Sequence, residues 1–293
     1  MSKDLSDVIG RVLPAPENHL SAEKLELARK ARRSFMGKAL AMGAGVAASA
    51  KAVAADGEEA ILKMPEHTTG LGLPVVTDGY GKPSKWEANL QRRQSPGLTR
   101  VPQASVSFTP LQGLFGIITP SGLHFERHHQ GWWDIDPSKH RLMVNGLVKR
   151  QRVFTMDDLM RLPSVSRIHF IECGANTATE WGNVAVPTVQ YTHGMVSCSE
   201  FTGVLLSTLL EMCGYDKKAA KFVLAEGADG SSMTRTIDIE RAMDDCIVAW
   251  AMNGEMLRPE NGYPLRLVVP GIQGVSWVKY LRRIEVGDQK WAT

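Results

Sequence analysis

"RIHFIECGANTATEW", residues 167–181, alternates apolar and polar side chains as a β-strand does, and it ends on Cys173 at a corner of small residues. The pattern predicts a strand over Val165–Glu172 that carries one cysteine to the mouth of a Gly174-Ala175-Asn176 loop. Two chemistries fit such a thiol. It is either a half-buried cysteine beside a turn or a metal ligand given clearance by its small neighbours.

The surrounding sequence sets the fold class. "HRLMVNGLVKRQRVF" (140–154) predicts a hairpin around Asn145-Gly146, the pair favoured for tight turns with positive φ. Thr155 is placed to cap a short helix, "TMDDLMRL", that Pro163 stops. "FTGVLLSTLLEMCGY" (201–215) has apolar residues at helical spacing and predicts a helix closed by Gly214. "KFVLAEGADG", "CIVAWAMNGEML", "YPLRLVVPG" and "WVKYLRRIEVG" predict further strands, the second with an Asn253-Gly254 turn. Strands dominate, helices are short and no βαβ alternation appears, which predicts a mixed-sheet α+β domain. It is expected over residues 113–293, preceded by an irregular, Pro- and Gly-rich extended arm at 55–112.

Residues 1–54 read as an export label. Arg32-Arg33, Phe35-Met36, a weakly apolar Ala/Gly/Val run and Ala52-Val53-Ala54 predict a twin-arginine signal, a periplasmic destination and cleavage before Ala55. The rest of the chain has 25 basic and 26 acidic residues, so no basic nucleic-acid face is indicated. The four cysteines include no CxxC or CxxCH, which removes paired-cysteine metal sites and covalent c-type haem from what this sequence encodes. Cys213 and Cys246 are expected in the core; Cys198 is placed on a loop.

Two further clusters could serve chemistry. "GLHFERHHQGWWDI" (122–135) gathers His124, Arg127, His128 and His129, of which Arg127 has the forked geometry that holds oxyanions. "NGYPLRLVVPGIQGVSWVKYLRRIEV" (261–286) spaces Arg266, Lys279, Arg282 and Arg283 among glycines; a basic sheet edge would look the same. No Walker loop, GxGxxG, HExxH or GxSxG is present, so a thiol hydrolase built on Cys173 is the rival enzyme class.

In this order the clusters resemble the molybdenum-cofactor domain of the sulfite oxidase family. "FERHH" (125–129) is similar to its Phe-x-Arg-Asn-His stretch with His128 in place of Asn, and "ECGAN" (172–176) to its cysteine loop. "AEGAD" (225–229) and the 261–281 segment, with Asn261 in place of a His, resemble its cofactor-contacting segments. "YTHGMVSCSEFTGVLLSTLL" (191–210) is closest to the molybdenum subunit of bacterial sulfane/sulfite dehydrogenases.

The resemblance implies molybdenum-molybdopterin as cofactor, with Cys173 as the metal thiolate and Arg127 holding an anionic substrate. Phe125, Arg127 itself, His128, His129, Asp229, Asn261, Arg266, Trp277, Val278 and Lys279 would surround the pterin and its phosphate. It further implies oxidation of a small sulfur anion, or of sulfur on a carrier protein, with electrons passed to a separate c-type cytochrome. Nitrate or sulfoxide reduction is the alternative within the family. Its members continue into an immunoglobulin-like domain that makes a homodimer, and an active-site tyrosine follows the Val-Lys-Trp segment. This sequence stops at Thr293, so the expectation is a cofactor domain without that module, and an inactive cofactor-binding fragment is the second alternative.

Overall fold

A computed structural model describes residues 79–95, 102–182, 186, 188–230 and 233–291. The segment expected to be an export label, 1–54, and about half of the expected arm lie outside them. The chain divides after Lys82, and the strands and helices of the fold belong to the unit from Pro83 onward.

Part of the expected irregular arm is regular. β1 (Arg93–Gln94) and β2 (Ser105–Phe108) join β3 (Glu126–His128) in an antiparallel sheet, with Val106 opposite Arg127. Val106 and Phe108 are about 1% exposed, so two core side chains fix this strand although four residues are too few to show a period.

β4 (Leu142–Gly146) and β5 (Arg152–Phe154) form the expected hairpin, but Asn145-Gly146 is not its turn. The pair belongs to the strand and lies in register with Glu285-Val286. Gly146 has φ 87°, and a Cβ there would lie 2.1 Å from the Val286 oxygen, so the glycine serves close strand approach. α1 (Met156–Met160) is capped reciprocally by Thr155 and Asp158, as its sequence predicts. β6 (Ser164–Glu172) leads into Cys173, also as expected.

After α2 (Val189–His193) comes β7 (Val196–Leu205), and here the sequence expectation fails. Residues 201–205 are strand; the helix α3 is confined to Leu206–Cys213, with Gly214 left-handed at its end. Phe201, Val204 and Leu205 satisfy either period over so short a window, and pairing decides. β7 is held between β6 and β10 (Ile247–Met252), with Thr202 opposite both Ser166 and Ala251. Cys198 therefore sits on a strand, opposite Phe170, and not on a loop. α3 buries Leu206, Leu209 and Leu210, at about 2 kcal/mol per leucine removed from water.

β8 (Phe222–Gly227), β9 (Thr234–Asp238), α4 (Ile239–Asp244), β11 (Glu255–Met256), β12 (Arg266–Val268) and β13 (Leu281–Gly287) complete the described elements. The order β11-β10-β7-β6, with β12 also on β10, makes one sheet, and β5-β4-β13-β8-β9 another. Among the described pairings only β4 and β13 run parallel, so the α+β mixed-sheet expectation holds. Asn253-Gly254 makes the predicted tight turn, both residues at positive φ. Strand structure starts at Arg266 and Leu281, later than the sequence suggests, leaving a 3-10 turn at Gly274–Ser276 and a loop from there to Tyr280. All four cysteines are free, with Cys213 and Cys246 buried as expected.

Candidate active site

A cavity of about 330 Å³ opens where the ends of these elements meet. β3 and the residue before it supply Phe125, Arg127, His128 and, just beyond, His129. The end of β6 supplies Cys173; the turn after β8 supplies Asp229. The 3-10 turn Pro259–Asn261 and β12 bring Asn261 and Arg266, and the loop before β13 brings Trp277, Val278 and Lys279. The residues expected to hold metal, pterin and substrate therefore line one space, whereas Arg282 and Arg283 of the third cluster lie on β13 and pair with Glu226 instead. Of the residues expected to hold those groups, His129 is the one that is exposed.

The cysteine loop is built by Asn176. Its side-chain amide donates to Glu172 Oε1 at 3.0 Å, and its oxygen accepts from the Met195 backbone at 3.1 Å. Thr177 follows at φ 64° to close the turn. Gly174 lies so near Gln273 that a Cβ would be 2.6 Å from its Oε1. Cys173 is thus presented half-buried on a fixed corner, with Ala175 also on the cavity wall.

The opposite wall is cationic. Arg266 is 4% exposed and donates to the Asn261 carbonyl at 3.0 Å and the Trp277 carbonyl at 3.2 Å. Its guanidinium lies 5.8 Å from the Phe201 ring centre, and burial brings its pKa down to about 10. Lys279 donates to the carbonyls of Arg127 and Glu260 at 3.4 and 3.2 Å and lies 3.3 Å from His128 Nδ1. Desolvation, and secondarily Arg266, lower Lys279 to about 7, while Asp229 and Glu260 oppose the shift. Arg127 is half-buried, and its Nη1 donates to the Ser105 carbonyl at 3.3 Å and to that of His128. Among the described residues, none of Arg127, Arg266 and Lys279 is ion-paired with a carboxylate.

Histidines near the cavity are held neutral. Burial takes His124 to about 3 and His128 to about 4; His129 is also lowered, by desolvation and then Arg127. His124 Nδ1 lies 2.7 Å from the Phe125 carbonyl and must donate to it, which leaves Nε2 as a bare acceptor. That atom, Asn261 Oδ1 and Arg266 Nε are buried without a hydrogen-bond partner. Such atoms are costly unless a ligand completes them. A pterin cofactor bearing phosphate and thiolates fits: it is anionic, offers donors and acceptors, and would place its metal against a soft thiolate.

His124, Glu126 and Glu260 also line the cavity without having been given a role. Glu126 carried a signal, because strand spacing puts residues 126 and 128 on one face. Glu260 carried none. Among the described residues no group of histidine, cysteine and carboxylate side chains is arranged to hold a metal by itself.

Comparison with known proteins agrees with this chemistry. Residues 129–293 match the family described as oxidoreductase molybdopterin binding domain. The NADPH nitrate reductase of Phytophthora infestans is 34% identical over 193 residues, 62% of this chain and 21% of that protein. The NADH nitrate reductase of Solanum lycopersicum is 39% identical over 189 residues, 60% of this chain and 21% of that protein. The crystal structure of the sulfane dehydrogenase SoxCD from Paracoccus pantotrophus is similar at TM-score 0.76 and 42% identity, covering 80% of this chain and 60% of that one. The chain thus spans about a fifth of the nitrate reductases it matches and 60% of the matched dehydrogenase chain. Sequence family, mixed-sheet fold and cavity chemistry agree, and the chain belongs to the oxidoreductase molybdopterin-binding domains of the sulfite oxidase family.

Proposed function

We propose that this protein oxidises a reduced sulfur compound, sulfite or sulfane sulfur on a carrier protein, and passes the electrons to a c-type cytochrome subunit. The observation that carries the reading is the Cys173 thiol sharing one cavity with three cations that, among the described residues, have no carboxylate ion-pair partner. Bound there, molybdenum-molybdopterin supplies the two-electron oxidation and the stepwise return of electrons.

The chain's own residues orient and select. Cys173 would hold the metal as a thiolate at the end of β6, on a loop that Asn176 ties to Glu172 and Met195. Arg266, Asn261, His124 and Asp229 hold the pterin and its phosphate, completing the three orphaned polar atoms. Trp277 shapes the floor: its indole N–H is already taken by the Ile272 carbonyl at 3.0 Å, and its ring packs against Phe201. Arg127, half-exposed to the cavity, draws in a sulfur anion. The export label at 1–54 supports a periplasmic setting for this chemistry, reached after the protein has folded around its cofactor.

Sulfur oxidation is preferred over nitrate reduction because the likeness to the sulfane dehydrogenase is higher, at 42% identity, and spans more of this chain. Purified protein should contain molybdenum and reduce a c-type cytochrome when given sulfite or thiosulfate. Oxidation of reduced viologen by nitrate, with no sulfur-dependent activity, would move the assignment to the reductase alternative. Cofactor without either activity would leave the cofactor-binding fragment.

A further inference from the structure

We propose that Glu126 and Arg92 are positioning residues of the cofactor cavity: together they fix which nitrogen of His128 carries the proton, and His128 in turn fixes Lys279 in the wall.

Glu126 and His128 stand two apart on β3, so their side chains share a face. His128 Nε2 lies 3.0 Å from Glu126 Oε2, and the side chains are 4% and 13% exposed. The other carboxylate oxygen is ion-paired with Arg92, which comes from the segment before β1 and also reaches the His124 carbonyl at 3.5 Å. A carboxylate so paired is ionised and only accepts hydrogen bonds, so Nε2 must carry a hydrogen.

The ring is neutral, as its burial requires, and a neutral imidazole has one N–H. Nδ1 is then a bare lone pair. Two groups compete for it: the Gly131 carbonyl at 3.1 Å, which could only accept, and the Lys279 ammonium at 3.3 Å, which donates. With Nε2 protonated only the lysine contact is a hydrogen bond. Its other two N–H groups reach the Arg127 and Glu260 carbonyls. The ammonium thereby ties β3, which carries Arg127, to the turn that carries Asn261.

Without Glu126 the preference reverses. The proton moves to Nδ1, where it can donate to Gly131, and an N–H then points at the lysine ammonium. Lys279 loses an acceptor and its link to β3 weakens. A carboxylate behind a ligand-shell histidine acts in this way at metal centres, where its removal costs on the order of tenfold or more in affinity. Arg92 contributes by keeping Glu126 ionised and aimed at Nε2. The effect on the cofactor rests on the proposed function; the tautomer does not.

The test uses the full-length holoprotein labelled with nitrogen-15 histidine. Long-range correlation of ring nitrogens with ring C–H protons reports each tautomer, and His128→Gln identifies the His128 signals. At pH 6, between the values for His128 and Lys279, the ring is neutral and the ammonium charged. The wild type should show the Nε2–H form, because both Glu126 oxygens accept, one from Arg92 and one from His128. Glu126→Ala should show Nδ1–H and contain on the order of tenfold less molybdenum and pterin. A wild type with its proton on Nδ1 overturns the relay without any variant having to fold. A Glu126→Ala protein with unchanged tautomer overturns it too, and one with shifted tautomer but full cofactor content overturns the positioning role. Wild type free of molybdenum and pterin would instead defeat the proposed function, and the tautomers would still decide the relay.

Discussion

Arg266 Nη2 donates to the Trp277 carbonyl at 3.2 Å while Nη1 reaches the Asn261 carbonyl at 3.0 Å, so one guanidinium pins two cavity segments and leaves its Nε unmatched. Burying this cation costs energy in the cofactor-free protein, and its two hydrogen bonds offset part of that cost. Arg266→Met should therefore shift the unfolding free energy of cofactor-free protein by less than about 2 kcal/mol, because the losses oppose each other. Cofactor content should fall far more, on the order of tenfold, since a charge-assisted contact disappears. Thermal melts and pterin analysis of the same preparations separate the effects. A large loss of melting temperature in the cofactor-free protein alone would make Arg266 structural.

Cys173 makes few side-chain contacts beyond its partial packing on the core, whereas the loop shape depends on Asn176. Cys173→Ser should fold with stability changed by about 1 kcal/mol or less and show no turnover. Asn176→Ala keeps the thiol but releases the corner. It should lose about 1–2 kcal/mol and part of its molybdenum, read by metal analysis. Appreciable turnover by Cys173→Ser refutes the thiolate role.

Arg127 is anchored through Nη1 on the Ser105 carbonyl, which leaves the remainder of the fork for a ligand. Arg127→Gln should raise KM for an anionic sulfur substrate on the order of tenfold, the worth of one charge-assisted hydrogen bond. Molybdenum content should change much less. Equal losses of substrate affinity and metal would place Arg127 among the cofactor's supports.

The legible parts of this molecule were those where one residue's chemistry is decisive over a short distance. Thr155 announced its cap, Asn253-Gly254 its turn, and Cys173 with Arg127, Arg266 and Lys279 a common site, although up to 152 residues separate them. What stayed hidden depended on partners far along the chain. Residues 201–205 look helical until β6 and β10 flank them. Gly146 looks like a turn glycine until Val286 lies against it. β2 reads as irregular arm because only pairing with β3 makes Ser105–Phe108 a strand. Arg92 was unreadable for the same reason, since it meets Glu126 and the His124 carbonyl only after β1 and β3 are folded together.

Gly203 offers a direct test of the strand assigned to Phe201–Leu205. A Cβ at this position would lie 2.1 Å from the Val248 carbonyl oxygen and 2.6 Å from Ala249 Cα, both backbone atoms that cannot swing away. Gly203→Ala should therefore destabilise the protein by about 2 kcal/mol or more. In a helix the same substitution would stabilise by about 1 kcal/mol. The sign of the change in denaturant midpoint decides between the two.

Acid should loosen the cofactor-free protein before its carboxylates titrate. Burial depresses His124 to about 3 and His128 to about 4, against an ordinary 6.5. The native rings stay neutral while the unfolded chain takes up protons below 6.5, so the unfolded state binds more protons and stability falls with pH. The contribution is complete above 6.5 and is lost as pH drops through the folded values. Lys279, depressed to about 7 from 10.5, obeys the same sign in a separate window, from 10.5 down to 7. The carboxylates with perturbed values, such as Glu226 with its ordinary 4.5 lowered by Arg283 and Arg282 despite burial, remain ionised above that range. Melts between pH 6.5 and pH 5.5, above the 4.5 of an unfolded glutamate and below the 7 of native Lys279, thus weight the histidines. Wild-type melting temperature should decline across this interval, and His128→Gln should decline less steeply, because one proton-binding difference between the folded and unfolded states has been removed. Parallel slopes for the two proteins would mean that His128 is not held neutral by the fold.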